Sequence, residues 1–120
     1  MGEYKVWVDQ EGRIRARIVG EHDKLDAENI INEINELIKR DQKNSKILID
    51  MTDTGRPSSH ARKLHANNMK KLSKSIKKAA LYGASAMNRV MANFIIKASG
   101  MGEKVKYFNT EKEAILWLKK

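Results

Sequence analysis

Lys46-Ile47-Leu48-Ile49-Asp50-Met51-Thr52-Asp53-Thr54-Gly55-Arg56-Pro57-Ser58-Ser59 is the stretch on which the reading of this chain turns. Ile47, Leu48 and Ile49 make an apolar, branched run bounded by polar residues, as an interior strand requires. The loop after it holds Gly55 and the chain's one proline. Pro57 drives Arg56 out of helical geometry and fits just ahead of a helix that Ser58 or Ser59 would cap. A strand running through a polar loop into a helix start collects backbone N–H groups where ligands bind in α/β proteins. A site in this protein is expected there.

Upstream, Glu3-Tyr4-Lys5-Val6-Trp7-Val8 alternates as a half-buried strand does, and Asp9-Gln10-Glu11-Gly12 supplies a turn. Residues 13–19 then put Arg13, Arg15 and Arg17 on one face and Ile14, Ala16 and Ile18 on the other, completing a hairpin. Over residues 26–40, Ile30, Ile31, Ile34, Leu37 and Ile38 fall on one helical face. Downstream, the second helix is expected to bury Ala61, Leu64, His65, Asn68 and Leu72, and to reach Ile76. Residues 77–83 read as a strand. Ala84-Ser85 starts a third helix with Met87, Val90, Met91, Phe94, Ile95 and Ala98 inward as core filling and Ile96 outward. Ser99-Gly100-Met101-Gly102 ends it, Val105-Lys106-Tyr107-Phe108 is the last strand, and Thr110-Glu111-Lys112-Glu113 is a capping box before a helix docked by Trp117 and Leu118. The order β-β-α-β-α-β-α-β-α predicts an α/β fold in one domain over residues 1–120, a mixed, largely parallel sheet of about five strands with about four helices.

Composition narrows the function classes. With no cysteine, disulfides, thiol nucleophiles and cysteine-ligated zinc are excluded. Residues 1–20 carry charges throughout, so neither a signal peptide nor a membrane span is expected, and a reducing cytoplasm is the natural setting. Between Thr54 and Gly102 stand ten Arg or Lys and no Asp or Glu, so the net charge of +9 belongs to the middle of the chain. Such asymmetry favours anionic partners. On a continuous second helix Lys63, Lys70, Lys74 and Lys77 would fall within about 60° of one another, a basic stripe able to meet nucleic-acid phosphates without sequence preference. Trp7 and Trp117 sit in core patterns, so no stacking platform accompanies the stripe.

The chain resembles the STAS domain and SpoIIAA-like superfamily of bacterial anti-sigma-factor antagonists, and its ending is most similar to the uncharacterised STAS and CRAL-TRIO-like branch. The resemblance is carried by Ile47-Leu48-Ile49-Asp50, Ser58-Ser59, Ala79-Ala80-Leu81-Tyr82-Gly83-Ala84-Ser85, Val105-Lys106-Tyr107-Phe108 and Glu113-Ala114-Ile115-Leu116-Trp117-Leu118, in this order. It implies a phosphorylated serine at the start of the second helix, at Ser59 with Ser58 beside it, that controls binding to a partner kinase. A phosphate there would meet a helix N-terminus and the guanidinium groups of Arg56 and Arg62. The family's acidic residue before this serine and its glycine after the serine pair are replaced here by Ser58 and His60, with Pro57 nearby.

Catalysis finds little support. No Gly-rich phosphate loop, nucleophile elbow or paired-histidine motif is present. His60 and His65 differ by about 140° on a helix and cannot share a metal. His65 reads as a hydrogen-bonded core histidine, His22 as solvated, and Asp50 and Asp53 as acceptors for loop N–H groups rather than a catalytic pair. No enzyme, cofactor or metal is therefore expected. The leading expectation is a regulatory protein-interaction module whose partner, or an anion, engages Asp53, Arg56, Ser58, Ser59, Arg62, Ser85 and Arg89. A second reading is a carrier for a lipid-like ligand, its apolar part against Met87, Met91 and Phe94 and its head group on Arg56, Arg62 or Arg89. An outward Ile96 would mark a homodimer.

Overall fold

The computed structural model describes residues 3–41, 45–72 and 74–120. Five strands, β1 (Glu3–Val8), β2 (Ile14–Val19), β3 (Ser45–Asp50), β4 (Ile76–Tyr82) and β5 (Val105–Phe108), form one sheet in sequence order. Four helices complete it: α1 (Lys24–Asp41), α2 (Ser59–Lys71), α3 (Ala86–Ser99) and α4 (Glu111–Lys119). β1 and β2 are antiparallel, and β2 through β5 run parallel. Because each parallel crossover is right-handed and the strands step steadily across the sheet, α1, α2 and α3 all fall on the same face. α4, which follows the last strand, packs on the opposite face against β3, β4 and β5.

The period of two in the strands separates the two cores. Ile47 and Ile49 on β3, and Ala79 and Leu81 on β4, join Ile14, Ala16 and Ile18 of β2 under α1 and α3. Their neighbours Leu48, Ala80 and Tyr82 point the other way, onto Ala114 and Leu118 of α4. The interior-strand reading of residues 47–49 is thus correct on both faces. Burial of a side chain such as Leu48 or Leu118 contributes about 1.5–3 kcal/mol. The first bond of the expected capping box forms, the Glu113 N–H donating to Thr110 Oγ1 at 3.2 Å, while the Glu113 carboxylate accepts from the Thr110 hydroxyl at 3.0 Å.

Three sequence expectations are corrected. First, α3 is turned relative to its predicted face: Asn88, Ala92, Ile96 and Ser99 are buried, while Met87, Val90 and Phe94 are 61%, 68% and 68% exposed and Ala98 is exposed too. The cause is polar. Asn88 Nδ2 donates to the Thr54 and Gly55 carbonyls at 2.7 and 3.1 Å, anchoring the helix by a face that hydropathy does not favour. Ile96 is therefore core, and it gives no support to a homodimer. Second, the lysine stripe is broken. α2 ends at Lys71 with Leu72 as its cap, so Lys63 and Lys70 lie on the helix, Lys74 in the turn beyond it and Lys77 in β4. Ile76 likewise begins β4 rather than extending α2. Third, His22 is 5% exposed rather than solvated.

Candidate functional site

The β3–α2 junction is built as local chemistry dictates. Asp50 Oδ1 accepts from the Thr52 N–H at 2.9 Å and the Thr52 hydroxyl at 2.6 Å, closing the turn at the strand end. Thr54 Oγ1 donates to the Ile18 carbonyl at 2.7 Å, and the Gly55 N–H donates to the Gly20 carbonyl at 2.8 Å, so the loop is tied along the end of β2. That approach requires glycine at position 55: a Cβ there would stand 2.7 Å from Glu21 N and 2.8 Å from Gly20 C. Pro57 then directs the chain into α2, where Ser58 is the N-cap and its Oγ accepts from the Ala61 N–H at 3.1 Å.

This geometry opens a cleft of about 470 Å³ between the end of β2 and the start of α2. Arg56, Ser58, Ser59 and Arg62, four of the residues singled out from the sequence, line it together with Glu21, His22, Asp23, Asp26 and Pro57. Ser58 spends its oxygen on the cap, whereas Ser59, in the first turn, is exposed. The helix start contains no acidic side chain to offset the positive end of its dipole, and Arg56 and Arg62 both line the cleft, Arg62 with its Nη1 donating to Met91 Sδ at 3.6 Å. Asp53 lies outside it: its carboxylate pairs with Arg17 rather than with loop N–H groups, which corrects its expected role. Ser85 and Arg89, at the start of α3, do not line this cleft. Ser85 caps α3, accepting from the Asn88 N–H at 3.3 Å, and Arg89 Nη1 donates to Asn109 Oδ1 at 3.4 Å.

The sequence reading missed one wall of the cleft, formed by residues 21–26. Asp23 and Asp26 reciprocally accept each other's N–H, at 3.0 and 3.2 Å, at the start of α1. The Asp-x-x-Asp spacing ahead of a helical face was a legible cap signal. Nothing local revealed the role of His22. Its Nε2 lies 3.1 Å from His65 Nε2, joining the loop before α1 to the middle of α2. Burial pushes the His65 pKa down to about 4, aided by His22, and burial also lowers that of His22 against the opposing fields of Asp26 and Asp23. Both rings are consequently neutral near pH 7, and one Nε2–H donates to the other's lone pair. His22 Nδ1 is buried with no hydrogen-bond partner among the described residues. His60 is exposed, and among the described residues no set of three or more metal-ligating His, Cys, Asp or Glu forms.

Behind the histidine pair lies an apolar cavity bordered by Ile18, Ile49, Met51, Met69, Leu81 and Met91. Its volume of about 60 Å³ falls far short of the roughly 300–1,000 Å³ of small-molecule pockets. Met91 borders it, but the outward Met87 and Phe94 do not, which corrects the carrier reading. Among the described residues no helix is long and apolar enough to cross a membrane.

Comparison with known proteins agrees with this architecture. The sequence model of the family described as SpoIIAA-like matches residues 13–119. Among solved structures, the chain is similar to an uncharacterised DUF3478-family protein with a SpoIIAA-like fold from Shewanella loihica PV-4, with a TM-score of 0.72 and 18% identity over 98% of this chain and 93% of that one. It is also similar to the anti-sigma factor antagonist SpoIIAA in its unphosphorylated form, with a TM-score of 0.65 and 16% identity over 98% of both chains. No curated protein matches the chain by sequence.

Proposed function

Since the chain belongs to the SpoIIAA-like family, we propose that it is a non-enzymatic regulatory module that binds a protein partner at the β3–α2 junction and is modulated there by an anion or by phosphorylation. The observation that carries this reading is the cleft at the start of α2, which the exposed Ser59, Arg56 and Arg62 line together at a helix N-terminus. Ser59 is the better phosphate acceptor of the serine pair, because Ser58 already holds the helix cap. A phosphate on Ser59 would gain charge-assisted hydrogen bonds from the two guanidinium groups and would meet repulsion from Glu21, Asp23 and Asp26 across the cleft. It would thus redraw the surface a partner reads without disturbing the core.

The test compares partner capture by the native chain, Ser58→Ala and Ser59→Glu. A Ser59→Glu change that alters capture while Ser58→Ala leaves it intact supports the switch. Identical capture by all three removes the switch.

A further inference from the structure

α3 carries the most concentrated apolar exposure on the described surface. Met87, Val90 and Phe94 are each more than 60% exposed, and with the exposed Ala98 they occupy an arc of about 80°. The stripe runs for about 16 Å along the helix. Beside it, a groove of about 200 Å³ separates α3 from α2, with Phe94, Ile95 and Ala98 on one wall and Ser59, Arg62, Lys63 and Ala66 on the other. Lys97 flanks the far side of the stripe. No acidic residue occurs between Thr54 and Gly102, so neither helix offers a negative charge to this surface. An isolated exposed apolar residue needs no explanation, but a continuous stripe beside a groove with a uniformly positive rim does.

We propose that the α2–α3 groove and the α3 stripe dock an amphipathic helix of a protein partner, with an apolar ridge against Phe94, Val90 and Met87 and carboxylates facing Arg62, Lys63 and Lys97. The proposal deepens the reading of the preceding section and rests on it in taking the ligand to be a protein. Two physical points select this occupant. A second copy of the chain would bring the same positive rim against itself, placing like charges opposite one another. A concave groove accepts the ridge of a helix, as in helix-in-groove recognition.

The experiment uses a fluorescent, roughly 20-residue peptide, long enough to hold a helix, with leucines along one face and glutamates flanking them. An analogue with lysines replacing the glutamates and vesicles containing phosphatidylglycerol serve as the other probes. The glutamate peptide should bind and shift the amide resonances of α2 and α3, weaken with added salt, and bind at least about tenfold more tightly than the lysine analogue. Phe94→Asp and the double change Arg62→Glu/Lys63→Glu should each weaken it by about tenfold or more. Thermal melts confirm that these surface variants fold.

Equal binding of the two peptides, resonance shifts elsewhere, vesicle binding in place of peptide binding, or dimerisation abolished by Phe94→Asp would overturn the proposal. Peptide binding beside identical partner capture by the native chain, Ser58→Ala and Ser59→Glu would leave the α3 surface standing and remove only the switch at the junction. Absent peptide binding beside serine-sensitive partner capture would remove only the α3 assignment.

Discussion

The two faces of the sheet handle polar chemistry in opposite ways. On the α4 face, Glu111 and Lys78 are held by internal partners. Glu111 Oε2 accepts from both Arg15 Nη2 and the Tyr82 hydroxyl at 2.7 Å, and Lys78 Nζ donates to the Trp117 carbonyl at 3.0 Å while lying over its ring. Burial and the Glu111 hydrogen bond raise the Tyr82 pKa, keeping the hydroxyl protonated and donating. On the other face, among the described residues, no residue of α2 or α3 makes a salt bridge, and three large apolar side chains of α3 meet solvent. One face holds Glu111 and Lys78 in internal contacts; the other presents a row of exposed apolar side chains beside cations that make no ion pair among the described residues.

The comparison breaks first on packing. Leu48→Ala and Ile96→Ala remove buried side chains from the two cores and should each cost about 2–5 kcal/mol. Phe94→Ser should change stability by less than about 0.5 kcal/mol. Urea unfolding of the three variants checks the rotation of α3, because the predicted face would have reversed the order of Ile96 and Phe94.

Acid should act on the open face through the histidine pair. Its folded-state pKa values lie below the ordinary histidine value of 6.5, so the unfolded chain takes up protons first. The contribution is complete above about pH 6.5 and is lost as pH falls toward 4. For His65, lowered to about 4, the loss is on the order of 3 kcal/mol. Melting of the native chain and of a His22→Leu/His65→Leu variant between pH 7 and 4 should show a slope that the double substitution flattens.

The smallest effect sharpens the division of labour within the serine pair. Ser58→Ala should cost about 1 kcal/mol as a lost cap. Ser59→Ala should stay within about 0.5 kcal/mol. Denaturant midpoints separate the two, and equal losses would mean that Ser59 also has a structural role.

The elements legible in the sequence are those whose causes are local. Pro57 and Ser58 specify the start of α2 within a few residues, Thr110 and Glu113 do the same for α4, and the branched apolar run at 47–49 between polar flanks marks β3 as an interior strand. What escaped depends on distant partners. His22 and His65 are 43 positions apart, and the Asn88 side chain reaches carbonyls more than 30 positions upstream. α3 carries apolar residues on both sides, so hydropathy alone could not choose its inner one, and the choice fell to an asparagine. The lysine stripe failed because it assumed a helix two turns longer than the one that Leu72 ends.

The close seam at Gly55 bears on how the cleft would work. The Gly20 N–H donates to the Asp53 carbonyl at 2.9 Å, and the Gly55 N–H returns the bond to the Gly20 carbonyl at 2.8 Å. With no room for even a methyl group between the strands of this seam, the two banks of the cleft behave as one rigid bracket rather than as jaws. A ligand entering it meets arginines whose supporting backbone is already set, and little of its binding free energy is lost to ordering that backbone. Recognition there would be fast to form and sensitive to shape, a fixed socket whose response to modification comes from altered charge and not from closure.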